Sequence, residues 1–360
     1  MMRGAIRGAC VAAALATAAA FGQGASRVIL RGGADPPDAI VESVSAAGVR
    51  LNTDGRVSVL SLDRVADVQG AKAPEFAPLA SIAADAWRAR VRIERGDLGG
   101  AEPIFERLFT RLETEQGATP ALVASGLLRC RVARGARAAA VRPWLALLRS
   151  GESETAFAPP ESTLADRSPE TLVDPATGLC PALPPIWAPG APLQSLASLG
   201  PTPNEAERVA TLRTLYSLSA RAELGEQATL PPRPSGDEGL ELVWDIVASR
   251  AGAEAQRAAA VASLASLVEG ADTPAWKECW ARVALGRALL RAPDRETQLL
   301  GVLHLMHAPA RFADSLAPLA VLALEEVALY HSVGGDADLA AKLRRRAEEV
   351  QPGVPAGGAR

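Results

Sequence analysis

The chain has 360 residues, of which 48% are hydrophobic, 22% charged and 4% aromatic, and 38 basic against 41 acidic residues leave a formal charge of −3. That length holds two or three domains and a sizeable core, and so few aromatics suit an Ala- and Leu-rich helical protein better than a β-sandwich. The mildly acidic balance argues against a general nucleic-acid binder.

Residues 1–22 read as a signal peptide. Arg3 and Arg7 form a positive start, Val11 to Phe21 an apolar run, and Ala20-Phe21-Gly22 a small-x-small cleavage site. The run is short of the ~20 apolar residues that a bilayer span takes. Cys10 precedes the apolar run, so it is not a lipoprotein cysteine. The expectation is an exported protein, periplasmic or secreted, with no transmembrane segment after cleavage. Export also changes the meaning of Cys130, Cys180 and Cys279. Three cysteines without C-x-x-C spacing make neither a zinc site nor a disulfide framework. One bridge, Cys130 to Cys180, is compatible with the count; buried thiols are the simpler reading.

From 26 to 70 the period is that of strands. RVILR, AIVESVS, GVRLN and RVSVLSL alternate apolar with polar, and the turn Thr53-Asp54-Gly55 separates the last two. Four or five short strands predict a small, strongly bent sheet or SH3-like barrel. The layout resembles a module at the N-terminus of exported bacterial proteins, which implies a small β-fold and no chemistry. So small a segment is marginal alone and is expected to lean on the helices behind it.

Helices follow over 78–150. Trp87, Val91 and Ile93 give the first an apolar side, while Arg88, Arg92 and Arg95 share another face. Gly96 suits the end of that helix, and Ile104, Phe105, Leu108 and Leu112 make the stripe of the next. Gly96, Ala101 and Phe105 have the spacing of the second helix of a tetratricopeptide hairpin. Gly135, Ala140 and Trp144 repeat it thirty-nine residues later. Gly335, Ala340 and Pro352 match again, with Arg344 in the place of the aromatic. The chain here resembles the tetratricopeptide (TPR) family, although its interval exceeds the usual thirty-four. The resemblance implies α-hairpins stacked into a solenoid, the small residues letting helices approach and the aromatic filling the groove of the next hairpin. A partner-binding face comes with it.

Thr119-Pro120 opens a third helix. The stretch 151–203 is Pro-rich without sustained periodicity, and reads as a linker or excursion. The alternative is a lid or partner-binding loop anchored by Trp187. A second helical array is expected over 204–350. Two capping boxes introduce it, Thr202-Pro203-Asn204-Glu205 and Ser235-Gly236-Asp237-Glu238. Asp294 is a further candidate cap, and 351–360 reads as a disordered tail. The fold class is therefore mostly α, a TPR-like α-hairpin array preceded by a small β-module.

Chemistry-bearing motifs are sparse. His304 and His307 lie three apart on a helix, but Leu303, Leu305 and Met306 surround them and no H-E-x-x-H is present, so they read as core or rim histidines. His331 suits a helix C-terminus, and Asp336 and Asp338 suit a helix N-terminus better than a calcium loop. No catalytic residue, metal site or cofactor is assigned. Arginines cluster between Arg88 and Arg142, and stacked hairpins would let Arg88, Arg92 and Arg95 share a groove with Arg131 or Arg134. These five are the candidate partner-binding residues. The expected function is that of an exported, non-enzymatic scaffold that binds a protein partner, its identity unspecified. Two alternatives remain: a binder of an acidic extracellular polymer through the arginine-rich face, and a hydrolase with an unrecognised site.

Overall fold

The computed structural model describes residues 26–32, 39–151, 172–188, 190–202, 205–227 and 229–350. The signal peptide and the C-terminal tail expected from the sequence lie outside these residues. The chain is mostly helical, its helices packing in succession behind a small antiparallel β-module. It divides into two compact units, with the division falling at Leu127/Leu128.

In the first unit, β1 (Arg27–Leu30) pairs with β5 (Val65–Gln69), and β2 (Ile40–Ser45), β3 (Gly48–Thr53) and β4 (Arg56–Leu60) form a three-stranded meander. The β3–β4 hairpin turns at Asp54 and Gly55, with φ of 52° and 81°. Positive φ at both central residues is what a type I′ turn needs, and Asp-Gly supplies it. Val28, Val41, Val49, Leu51, Leu62, Val65 and Val68 are buried. Alternation works as expected in β3, whereas in β5 the buried Val65 and Val68 stand three apart, where the register with β1 shifts. Alternation fails in β4, where Val57, Ser58 and Val59 are all exposed.

The module does lean on the helices. Short α1 (Ala73–Phe76) leads into α2 (Ala80–Glu94), α3 (Leu98–Leu112) and α4 (Ala118–Ala133). Buried Thr119 sends its backbone N–H to Ala47 O at 3.0 Å, and its hydroxyl accepts from Leu62 N–H at 3.0 Å. A residue placed to start a helix thus also ties the helix to the strands. The buried side of α2 differs from the expected one: it is Ile82, Ala83, Ala86 and Ala89. Trp87 stays partly exposed with the Arg31 guanidinium 5.2 Å from its ring centre. Alanines let the backbones come close, which a Trp stripe would prevent.

Between α2 and α3, Gly96 takes φ 77° and the Asp97 N–H reaches back to Arg92 O at 2.8 Å. This bond satisfies a carbonyl that the helix end would orphan, and only a residue free to adopt positive φ allows it cheaply. Asp97 then caps α3 by accepting from Gly100 N–H at 2.9 Å. Phe105 lies against Gly126 of α4 so closely that a Cβ there would sit 2.3 Å from the ring. The aromatic fills a groove of the following helix, as its spacing suggested.

In the second unit come α5 (Arg137–Ser150), the single turn α6 (Gln194–Ala197), α7 (Glu207–Glu223), α8 (Glu238–Ala251), α9 (Glu254–Glu269), α10 (Ala275–Leu289), α11 (Arg295–Arg311), α12 (Ala317–Val333) and α13 (Ala337–Val350). From α7 onward each packs on the next, and α8 also touches α10, and α10 touches α12. Burial shows the layering: α8, α10 and α12 are buried over most of their surface, charged residues such as Asp245, Lys277 and Arg287 included, whereas α9, α11 and α13 bury only narrow stripes. Among the described residues no helix is long and apolar enough to cross a membrane.

The two capping boxes form differently from expectation. Asp237, rather than Ser235, caps α8 by accepting from Leu240 N–H at 2.9 Å. A carboxylate next to the helix start outcompetes a hydroxyl two residues further out. Helix α7 starts only at Glu207, and Glu205 pairs with Arg213 instead of closing a box. Asp294 caps α11 as expected, accepting from Thr297 N–H at 2.7 Å.

Candidate interaction surface

The proline-rich stretch, where described, is packed rather than solvated. Leu179, Cys180, Leu183, Ile186 and Trp187 are all buried. Prolines and an extended backbone leave carbonyls without local backbone partners, and buried carbonyls need donors. Aromatic side chains supply them: Trp144 Nε1–H donates to Gly178 O at 3.2 Å, Trp280 Nε1–H to Pro181 O at 3.0 Å, and the Tyr216 hydroxyl to Leu183 O. Trp187 inserts its own indole and donates to Ser219 Oγ at 2.8 Å. Burial pushes the Tyr216 phenol well above its ordinary value, so it remains a donor. One face of the helices is therefore occupied by the chain's own extended segment. Trp187 anchors that segment inward and is not presented to a partner.

Three of the five candidate arginines, Arg88, Arg92 and Arg131, have local duties. Arg88 and Arg92 lie on α2 and Arg95 at its end, within the first unit; Arg131 and Arg134 belong to the second. Arg88 Nη1 is 2.9 Å from Asp85, and Arg92 Nη1 is 2.6 Å from the cap Asp97. Arg131 Nη1–H donates to Ala139 O at 2.7 Å. That carbonyl is the one Pro143, four residues on, has no N–H to serve. The guanidinium takes the place of the missing backbone donor.

Ion pairs that join distant parts of the chain carry most of the buried charge in the second unit. Glu223 at the end of α7 accepts two bonds of 3.0 Å from Arg250 and one of 3.2 Å from Arg287, and Arg287 also reaches Glu326 at 2.9 Å. Side chains of Glu223 and Arg287 are only 7% and 6% exposed. They border a cavity of about 20 Å³ together with Ser219 and Ser249, too small for a substrate. A larger depression, about 430 Å³, lies among α8, α9 and α10. Its charges are matched: Arg233 clamps Asp245 at 2.9 and 2.8 Å, Ser263 joins the same carboxylate at 2.7 Å, and Lys277 meets Glu238 at 2.6 Å.

His304 and His307 sit partly buried on α11, and burial, then the Arg282 charge, lowers both below the ordinary imidazole value. Nearby Glu278 is engaged by Arg282 at 2.8 Å and Arg311 at 3.0 Å. Among the described residues no group of three or more His, Cys, Asp or Glu side chains is placed to hold a metal ion. Asp336 accepts from Leu339 N–H at 3.1 Å and so serves the start of α13. Cys130, Cys180 and Cys279 are buried.

The helices also leave some apolar side chains open. Leu299, Leu300 and Leu303 of α11 are 45%, 49% and 62% exposed, on a helix whose buried stripe is Gly301, Leu305 and Ala308. Leu329 and Val333 on α12 are also exposed. Sequence reasoning overlooked this face because leucine in a helix reads as core; only burial separates the two sides of α11. Comparison with protein-family models, with curated proteins and with solved structures gives no match. The reading of function therefore rests on the geometry of this chain.

Proposed function

We propose that this is an exported, non-enzymatic interaction protein, a TPR-like array of α-hairpins behind an SH3-like β-module, and that it binds a protein partner. The observation that carries the reading is the outer face of α11. Three leucines within one and a half turns stand in solvent although the core of the array is complete without them. Leu299 and Leu303 are four apart and form a ridge along the helix. Such a ridge fits the groove of another helix, so the partner segment is an amphipathic helix laid against α11. Burying a leucine fully contributes about 1.5–3 kcal/mol, and these three half-exposed side chains hold roughly half of that each in reserve.

The acidic-polymer alternative has less support, because Arg88 and Arg92 already face Asp85 and Asp97. The test separates the two. The purified chain is used as bait against extracellular protein at low and high salt, beside Leu299→Asp/Leu303→Asp and Arg92→Ala/Arg95→Ala variants. Capture that survives salt and the arginine changes, and is lost with the leucine changes, supports the reading. Capture indifferent to the leucine changes sinks it. Retention on a polyanion column that depends on Arg92 and Arg95 favours the polymer instead.

A further inference from the structure

Strand β4 is an open edge. Thr53 and Arg56 flank the two-residue turn, so they form a hydrogen-bonded pair with β3, as do Leu51 with Ser58 and Val49 with Leu60. The alternating residues Val57 and Val59 therefore point their backbone N–H and C=O groups away from β3. Among the described residues no strand lies beyond β4 in this sheet. The same two residues are 46% and 48% exposed. Proteins usually blunt such an edge with a lysine, a proline or a bulge. The run RVSVL has no lysine, proline or bulge, and its one charged residue, Arg56, stands beside the turn.

We propose that β4 pairs antiparallel with β4 of a second copy of this chain, about a two-fold axis through Ser58. In this register Val57 of each molecule faces Val59 of the other. Those are the residues whose backbone groups point outward, so four N–H to C=O bonds form. Ser58 meets Ser58 as the non-bonded pair between them, as antiparallel alternation requires. The surface is self-complementary, as a two-fold interface has to be. Its charges agree with that occupant. Arg56 faces Leu60 of the other copy rather than Arg56, and the nearest charged side chain on the valine face, Arg50, is already neutralised by Glu42 at 2.9 Å. The valines of the two copies, Val57 beside Val59, form the apolar centre of a continuous six-stranded sheet.

Sedimentation of the purified chain over a broad concentration range should give twice the protomer mass, and Val57→Lys/Val59→Lys should give the protomer mass with unchanged circular dichroism. Val59→Pro, which removes an outward N–H and none from the β3 ladder, should do the same. The register has its own test. Paired non-bonded positions lie about 4.5 Å apart at Cα, within disulfide reach. Ser58→Cys should cross-link into a dimer under mild oxidation. Arg56→Cys should not, because four residues of rise, about 13 Å, separate it from its own symmetry mate. The wild-type chain, whose Cys130, Cys180 and Cys279 are buried, is the blank. A monomeric wild type, a dimer that survives both edge variants, or a Ser58→Cys chain that fails to cross-link overturns the proposal. A loss of partner capture through α11 leaves these readouts unchanged.

Discussion

Arg90 Nη1 lies 2.8 Å from Asp63 Oδ2, joining the middle of α2 to the 3₁₀ turn that precedes β5. Asp63 is fully buried and also accepts from the Ser61 hydroxyl, while Arg90 Nε–H donates to Glu94 at 2.8 Å. A carboxylate stripped of water depends on both donors. Arg90→Met should therefore destabilise the first unit by about 3–5 kcal/mol, the usual cost of leaving a buried charge unpaired. Replacing both residues, Arg90→Met with Asp63→Leu, should recover much of that loss. Urea unfolding of the wild type and the two variants decides it; a single Arg90→Met change that leaves the midpoint in place would show that the pair does not hold the β-module to the helix.

Glycine in the interior of a helix ordinarily weakens it, and alanine is favoured there by ~1 kcal/mol. Gly286 of α10 should behave in the opposite way. A Cβ at Gly286 would stand 2.7 Å from Leu305 Cγ and 2.8 Å from the Gly301 carbonyl oxygen of α11, and a Cβ at Gly301 would meet Gly286 O at 2.9 Å. The two glycines let α10 and α11 touch through their backbones, which cannot yield as a flexible side chain can. Gly286→Ala is expected to cost about 1–3 kcal/mol as overpacking outweighs propensity. A rise in melting temperature would show that the helices can slide apart at no cost.

Both cases bear on what was legible beforehand. Gly96, Gly135 and Gly335 could be recognised as helix ends because their requirement is local; each takes positive φ at the position its spacing assigns. Asp294 was legible for the same reason, and Phe105 because its spacing from Ala101 belongs to a known hairpin pattern. Partners far along the chain were not legible. Nothing in the residues around Gly178, Pro181 or Leu183 says that indoles and a phenol 33 to 99 positions away will take their carbonyls, so a proline-rich stretch reads as a linker. The arginines were recognisable as a cluster, but a cluster in sequence does not show whether each charge is already spent on a cap, as Arg92 is on Asp97. Alternation in RVSVL predicts one buried face of β4, but Val57, Ser58 and Val59 are all exposed. The leucines of α11 pose the same problem at helical spacing.

Arg131 offers a test of the idea that a side chain stands in for a backbone donor. Arg131→Met should be destabilising in the native chain, because the Ala139 carbonyl loses its donor. With Pro143→Ala also present, residue 143 regains an N–H that closes the helical bond to Ala139, and the same Arg131→Met change should cost less. The coupling between the two positions is expected near ~1 kcal/mol, the net worth of one hydrogen bond. A double-mutant cycle measures it free of the other interactions of Arg131. Additive effects would mean that Arg131 is retained for its packing or for another contact.

The last expectation concerns alkaline pH. Burial, with a smaller contribution from neighbouring Glu278, pushes the Cys279 thiol from 9.0 up to about 12. Cys279 lies in α10 and is fully buried. The unfolded chain gives up this proton at an ordinary thiol value, so between those two values the folded state binds more protons than the unfolded one. Stability from this group is complete below pH 9 and is lost as the pH climbs towards 12. Cys279→Ala lacks the term while sharing every other titration, including that of Tyr216. The stability difference between wild type and Cys279→Ala should thus be constant from neutrality to about pH 9 and then shift steadily in favour of the variant. Urea midpoints of both proteins at stepped pH measure it. A difference that stays flat throughout would mean that the thiolate is accommodated in the folded core.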